Sequence, residues 1–428
     1  MSRRTERLPP DVSQGAGFRG RIYHGENEAA LWALVEQEAA SFDLIYIDPP
    51  FHSNQQFTAE FPVGNGSGVG SPTRSVLAYE DRWESREHYL RELEIRLALM
   101  RDLLKPTGSL VVHVNWKISP YVQVLLDRLF GDGERDRPGA PGFRAEIIWG
   151  FGGGGAPRRT YRKKHDNLLW YSRSDTWTFN PAYRPYSAKT QERGLTQVKG
   201  PSYELRSEGA SLESWWTDAA VQKILSPTAR ENWKYPTQKP EALLERIIGV
   251  HSNPGDRVAD FYAGSGGFGV VAARMGREWM LADESPSAVG VALRRCLETG
   301  AAIELFVPGE ARENSEFVVW RHADVFRLAP RSPGSTLDDV EYWSLDPGPP
   351  DGGGAYNHVF RSYRRPGHRT LGLECRLRCG SAPRARVLDV EGSWWSVPVR
   401  SVELKAIESE PIREIGMNSQ PSGCTGEG

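Results

Sequence analysis

The chain is 428 residues long, 39% hydrophobic and 25% charged, with a formal net charge of −2. Such a length points to two domains or one large domain with an appendage, and such a composition to a soluble globular protein with a substantial core. The near-neutral balance excludes binding nucleic acid by overall charge, four cysteines exclude a disulfide framework, and the lack of any run of about 18 apolar residues excludes a membrane-spanning helix. Cys375 and Cys379 have no second pair beside them, so no metal site is expected. Residues 1–7 are charged with no apolar segment after them, unlike a secretory signal, and a reducing cytoplasm is the expected setting.

In chain order, residues 1–20 are polar and read as a flexible arm. A short strand and turn over 20–27 come next, then a helix over 28–40 with Leu31, Leu34 and Val35 on one face. Residues 43–51 read as a buried strand, rich in Ile and Tyr, that is stopped abruptly by Asp48, Pro49 and Pro50. A strand ending this way puts a carboxylate, a rigid backbone carbonyl and the Phe51 ring at the carboxyl edge of a sheet, where open α/β sheets bind ligands. Proline fixes its own φ and biases the residue before it to extended geometry, so Asp48 cannot easily turn away from that edge. Residues 61–75 are rich in Gly, Ser, Pro and Asn and read as a mobile loop, either placed to close over a substrate or simply disordered. A helix over 88–104 carries Leu90, Leu93, Leu97, Met100 and Leu104 at helical spacing and is ended by Lys105-Pro106-Thr107-Gly108. A strand over 109–114 follows, and Ser119-Pro120 opens a further helix. The alternation is that of a parallel sheet with crossover helices.

Between 151 and 200, ten lysines and arginines face only Asp166, Asp175 and Glu192, a local basic window suited to phosphate contact. Arg158, Arg159, Arg162, Lys163 and Lys164 are its densest part and the candidate DNA-binding residues. Aromatic residues from Tyr161 to Tyr186 interleave with these charges; most are expected in the core, with about one or two touching a base. Gly152 to Gly155 read as a linker or a place of close backbone approach.

Tyr235-Pro236-Thr237-Gln238-Lys239-Pro240 precedes a helix with Leu243, Leu244, Ile247 and Ile248 inward. A strand over 257–262 then runs into Ala263-Gly264-Ser265-Gly266-Gly267, a helix through Met275, and a strand over 279–282 that ends at Asp283. Strand, glycine turn, helix, strand and acid form the context of a nucleotide-type cofactor site. Gly264, Gly266 and Gly269 satisfy the dinucleotide fingerprint literally, so a nicotinamide enzyme is one reading; an S-adenosylmethionine site is the other. The strand ending in Asp48 favours the second. A conjugated exocyclic amine is a poor nucleophile, and a carboxylate with a backbone carbonyl can hold its two protons and aim its lone pair at a methyl donor.

Taken in order, these motifs resemble those of the β-class DNA amino-methyltransferases, in which a catalytic Asp-Pro-Pro-Tyr/Phe segment precedes the recognition region and the cofactor glycines come last. The matching stretches are residues 48–51, 103–110, 146–149, 164–167, 235–240 and 260–266, and the resemblance covers roughly residues 20–300. It implies a permuted Rossmann-like α/β sheet and S-adenosylmethionine as cofactor, with the strands bearing Asp48 and Gly264 as neighbours. Asp48, Pro49, Pro50 and Phe51 would be catalytic. Thr237 and Lys239 would lie near the methionine end of the cofactor, with Asp260, Tyr262, Gly264, Ser265 and Gly266 lining its site and Asp283 on the ribose. The sequence departs from the family in three places: Phe261 replaces a proline, Gly267 a threonine, and Leu281-Ala282-Asp283-Glu284 the commoner Gly-Ile-Glu-Ile.

The implied activity is methyl transfer to N6 of a flipped adenine in double-stranded DNA, with cytosine N4, RNA or a protein amide as alternatives and a nicotinamide enzyme as a remote one. Cytosine C5 transfer is disfavoured, because no cysteine here follows a proline. The expected division is an arm over 1–20, a catalytic domain over 21–174 and 235–300, and a target-recognition region over 175–234, in which Ser214 to Asp218 are framework. A β-rich C-terminal domain over 301–410 and a disordered tail over 411–428 complete it. The C-terminal domain's role is open between DNA clamp, dimer contact and partner docking, and a restriction endonuclease partner or a homodimer is compatible with the chain.

Overall fold

The computed structural model describes residues 3–8, 19–63, 72–153, 157–193, 205–219, 221, 231–308, 312–313, 317–322, 325–331, 336–346, 356–357, 360–364, 371, 374–376, 383–389, 394–397 and 399–401. The tip of the 61–75 segment, Gly154 and Gly155, parts of the recognition region, Cys379, Cys424 and the 411–428 tail lie outside the described residues.

Up to residue 308 the elements are β1 (Arg3–Leu8), β2 (Arg19–His24), α1 (Asn27–Glu38), β3 (Phe42–Ile47), β4 (Gln55–Pro62), β5 (Thr73–Asp81) and α2 (Arg86–Leu103). Then come β6 (Leu104–Asn115), α3 (Ser119–Phe130), β7 (Gly142–Gly150), β8 (His165–Ser172), β9 (Tyr183–Arg184), α4 (Ala188–Arg193), β10 (Ala210–Ser211) and β11 (Trp215–Trp216). The last are α5 (Glu241–His251), β12 (Arg257–Asp260), α6 (Gly267–Arg274), β13 (Glu278–Asp283), α7 (Pro286–Leu297) and β14 (Ala302–Pro308).

One sheet runs in the order β11-β7-β8-β6-β3-β12-β13-β2-β14-β1, with a short strand at Tyr356–Asn357 beyond β1. From β6 to β14 every neighbouring pair is parallel, and β8 runs antiparallel between β6 and β7. As the motif order implies, β3 and β12 are neighbours, with Leu44 opposite Val258 and Ile45 opposite Ala259.

All six residues of β3 are buried because helices cover both faces of the sheet. Leu44 and Tyr46 enter the layer formed by α5, α6 and α7, whereas Ile45 and Ile47 enter the layer formed by α1, α2 and α3. Each such aliphatic side chain contributes about 1.5–3 kcal/mol when removed from water. These opposed cores fix the strand end and hence the position of Asp48.

Four features differ from the sequence expectation. Residues 3–8 of the arm form β1, antiparallel to β14. Residues 61–62 and 73–75 of the 61–75 segment are paired ends of β4 and β5, an antiparallel hairpin whose Ala59, Phe61 and Ala78 pack against Trp233, Tyr235, Ala288 and Val291. Lys105–Gly108 does not separate helix from strand: β6 starts at Leu104 and takes these residues in as a register shift against β3. Gly108 suits that shift, since a Cβ there would meet the Phe42 carbonyl at 2.9 Å. Lastly, β14 belongs to the central sheet, not to the C-terminal part.

Beyond it, strands that include Val340–Asp346 and Arg384–Asp389 build a five-stranded sheet, and a four-stranded sheet includes Phe317–His322. This part is seated on the α5–α7 layer: Tyr342 and Leu388 join its core, and buried Arg294 of α7 pairs with buried Glu341.

Candidate active site

At the carboxyl edge of β3 and β12, Asp48–Phe51, the Gly264 turn, Thr237–Lys239 and the inner face of the β4–β5 hairpin enclose one cavity of about 480 Å³. A volume of that order suits a cofactor-sized ligand. Asp48, Pro49, Pro50, Phe51, Thr237, Lys239, Asp260, Tyr262, Gly264, Ser265 and Asp283 all line it.

Asp48 is held unevenly. The Lys239 ammonium donates to Oδ2, while Oδ1 is buried and accepts no hydrogen bond. An unpartnered buried carboxylate oxygen is costly unless a ligand supplies its donor. Behind it lies a buried polar row. Tyr46 Oη is 3.0 Å from His113 Nδ1, His113 Nε2 is 3.3 Å from Asp166 Oδ2, and Nδ1 lies 3.9 Å from Asp48 Oδ1. The only sequence signal for His113 was one titratable residue inside an apolar strand. Lys239 was expected beside the cofactor; its ammonium is also the partner of Asp48.

The turn after Asp48 is fixed by Asp81, which the sequence did not mark. Its buried carboxylate accepts from the N–H groups of Phe51 (3.0 Å), His52 (2.9 Å) and Ser53 (2.7 Å) and from Trp83 Nε1 (3.1 Å). The hairpin thus carries the anchor of the turn that follows Asp48. It also carries Tyr79, whose hydroxyl is 3.2 Å from Thr237 Oγ1. Thr237 has a φ of 57°, rare for a β-branched residue and the kind of strain that marks binding sites.

On the other side of the cavity, Gly264 N–H donates to Asp283 Oδ2 at 2.8 Å and Ser285 N–H to Oδ1 at 2.9 Å. Burial nevertheless pushes the Asp283 carboxyl up to about 6. Each oxygen keeps a second acceptor position for a ligand hydroxyl. Asp260 is raised well above the carboxylate range, chiefly by burial, despite the Tyr262 N–H it accepts, and Asp48 and Asp283 add to the rise. Burial likewise raises the Tyr262 phenol to about 12. Ser265 lines the cavity, and its Oγ accepts from Arg295 Nη1 at 2.8 Å, which leaves its own O–H to donate. Gly266 does not line the cavity; it caps α6 at φ 73°, where a Cβ would meet Ala292 at 2.5 Å.

The basic residues sit on the loop between β7 and β8, which starts from the same sheet edge. Arg158, Arg159, Arg162 and Lys163 are exposed and Lys164 is half-buried. Lys163 Nζ lies 5.1 Å from the Trp116 ring centre and Lys164 Nζ 6.0 Å from that of Phe151. Of the interleaved aromatics, Trp170 and Tyr171 are core residues, whereas Tyr161 is 89% exposed. In the framework segment Trp216 is buried and Asp218 pairs with Arg246, whereas Trp215 is exposed. Among the described residues, no group of three or more His, Cys, Asp or Glu side chains is placed to hold a metal ion.

Residues 42–294 match the family model described as DNA methylase. The chain belongs to this DNA methylase family. The matched stretch holds all the cavity residues named above. Among the relatives of this family member is the DNA adenine methyltransferase YhdJ of Escherichia coli (strain K12), 26% identical over 277 residues, which are 64% of this chain and 81% of the relative. Type II methyltransferase M.HpaI of Haemophilus parainfluenzae is 27% identical over 272 residues, 62% of this chain and 71% of that one. Similar solved structures include an M1.HpyAVI–SAM complex (20% identity, 64% of this chain and 98% of that one, TM-score 0.40). Another is the PvuII DNA methyltransferase, titled cytosine-N4-specific (16% identity, 66% and 89%, TM-score 0.42).

Proposed function

We propose that this DNA methylase moves the methyl group of S-adenosylmethionine to the exocyclic N6 of an adenine rotated out of double-stranded DNA. The observation that carries the reading is Asp48 Oδ1, a buried acceptor without a donor at the mouth of a cofactor-sized cavity. The choice of adenine is supported by the E. coli relative, which is named a DNA adenine methyltransferase.

The cavity fits a ligand that is cationic at one end and carries hydroxyls at the other. Asp48, Asp260 and Asp283 line it, and the Asp283 oxygens have acceptor capacity to spare. When bound, S-adenosylmethionine supplies an electrophilic methyl group on a sulfonium. Asp283 would take the ribose hydroxyls, the Gly264 backbone and Tyr262 would flank the adenosine, and Thr237 and Lys239 would lie at the methionine end. Asp48 Oδ1 accepts one proton of the substrate amine and a carbonyl of the Pro49–Pro50 turn the other, which aims the nitrogen lone pair into the cavity. Phe51 stacks on the flipped base, and Lys239 orients the Asp48 carboxylate. Arg158, Arg159, Arg162, Lys163 and Lys164 contact phosphates. The proposal includes a cytoplasmic setting and a restriction endonuclease as partner, supported by relatives named type II methyltransferases.

The test is to incubate the protein with unmethylated genomic DNA and S-adenosylmethionine, digest to nucleosides and identify the methylated base by mass. N6-methyladenine is the expected product. N4-methylcytosine would keep the mechanism and change the substrate, and no methylated base would overturn the proposal.

A further inference from the structure

The step that fixes the amine by Asp48 leaves a proton to be placed. The amine nitrogen spends its lone pair on the new N–C bond while the C–S pair leaves with sulfur. The nitrogen then holds one proton more than the neutral product, and that proton must cross to a protein atom. Asp48 Oδ1 is the first acceptor in reach. Its other oxygen is already taken by the Lys239 ammonium.

We propose that His113, held between Tyr46 and Asp166, takes this proton from Asp48 Oδ1. The inference rests on the methylation reading above and assigns a further residue to that site. His113 is wholly buried on β6, the strand next to β3. An ionised Asp166 only accepts hydrogen bonds, so Nε2 carries the imidazole proton and donates across the 3.3 Å to Asp166 Oδ2. Nδ1 is then the bare nitrogen, and the Tyr46 hydroxyl donates to it across 3.0 Å. Burial, with the charges of Asp48, Asp260 and Asp166, holds the Tyr46 hydroxyl well above its ordinary range, so it remains protonated.

Transfer breaks the O–H bond at Asp48 Oδ1 and forms an N–H bond at His113 Nδ1, while the Tyr46 hydroxyl turns from donor to acceptor. Asp166 balances the imidazolium charge. The 3.9 Å between Nδ1 and Oδ1 is beyond a hydrogen bond, so the carboxylate must swing by about 1 Å, the kind of tightening a filled site produces. After product leaves, the proton returns through Asp48 to water. The groups around the ring are Tyr46 and Asp48 from β3 and the turn after it, Asp166 from β8, Lys239 through Asp48, and the rings of Phe51 and Trp149. Since His113 acts through Asp48, it is a positioning residue and its test must separate proton transfer from packing.

The experiment is single-turnover methylation of DNA across pH at saturating S-adenosylmethionine, for wild type, His113→Gln and Asp166→Asn, with cofactor binding titrated alongside. Wild type should show an acid limb in its rate profile that depends on the bare His113 Nδ1. His113→Gln should be slower by about 100-fold, lack that acid limb and bind cofactor as wild type does. Asp166→Asn should move the acid limb to lower pH, because the imidazolium loses its counter-charge; this variant carries the test if His113→Gln does not fold. A normal rate in His113→Gln, or a slow rate with a wild-type pH profile, overturns the relay, as does an unmoved limb in Asp166→Asn. Absence of any methyl transfer by wild type overturns the methylation reading instead.

Discussion

Lys239 donates its ammonium to Asp48 Oδ2 across 191 residues of sequence, joining the segment before α5 to the end of β3. Both side chains are largely removed from water, so each depends on the other for its counter-charge. Breaking such a pair by removing one partner leaves an uncompensated charge. Lys239→Met should therefore reduce methyl transfer by at least about tenfold, whereas Lys239→Arg retains part of the rate. Single-turnover rates of the two variants check this, and equal rates would contradict it.

Asp81 ties three consecutive backbone N–H groups and the Trp83 indole to one carboxylate. Hydrogen bonds to a charged acceptor contribute about 1.5–3 kcal/mol each, and orphaned donors add a penalty. Asp81→Ala should lower stability in urea by about 3 kcal/mol and loosen the catalytic turn, so that the rate falls more than cofactor affinity does. An unchanged urea midpoint would show that the turn stands without it.

Burial raises the Asp283 carboxyl to about 6, against about 3.9 for an aspartate in an unfolded chain. The folded state therefore holds the proton more tightly. The stability this lends is full below the unfolded value and is lost as pH rises through about 6. A ligand that donates hydroxyls to Asp283 favours the ionised form, so its affinity runs the other way. S-adenosylmethionine affinity should strengthen as pH rises through about 6, and Asp283→Asn should bind weakly with a flatter pH dependence. Calorimetric titration between pH 5 and 8 measures both, at pH values chosen about the ordinary range.

The loop from Arg158 to Lys164 presents Arg158, Arg159, Arg162 and Lys163 to solvent, with Lys164 half-buried, beside the sheet edge that bears the cavity. Each phosphate contact contributes a slope of about −0.9 in the salt dependence of duplex binding. Lys163→Glu with Lys164→Glu should weaken DNA binding and reduce that slope by about two contacts' worth. A slope equal to wild type would place DNA on another face.

The catalytic turn was legible because its signal is local: an apolar strand, an acid and two prolines. That the strands of Asp48 and Gly264 are neighbours was legible through the family resemblance, and the rest of the sheet order was not. What escaped reading is held by distant partners. β1 is polar and finds β14 far along the chain, and no local pattern announces that pairing. β4 alternates Phe57, Ala59 and Phe61 with polar residues, but β5 runs Val76-Leu77-Ala78-Tyr79 without alternation, so the pair has no shared pattern beside the Gly- and Ser-rich stretch between them. Asp81 and His113 act through neighbours on other strands, so neither has a motif of its own. Ser265 lies in the glycine motif, but its hydroxyl faces Arg295 because buried Arg295 needs acceptors.

The central claim is that Asp48 Oδ1 receives the substrate amine. Its most direct test is the single-turnover methylation rate of Asp48→Ala, with cofactor affinity measured on the same preparation. The account predicts that methyl transfer is lost while S-adenosylmethionine still binds with nearly wild-type affinity. An Asp48→Ala protein that methylates DNA at the normal rate would remove Asp48 from the reaction and contradict the account.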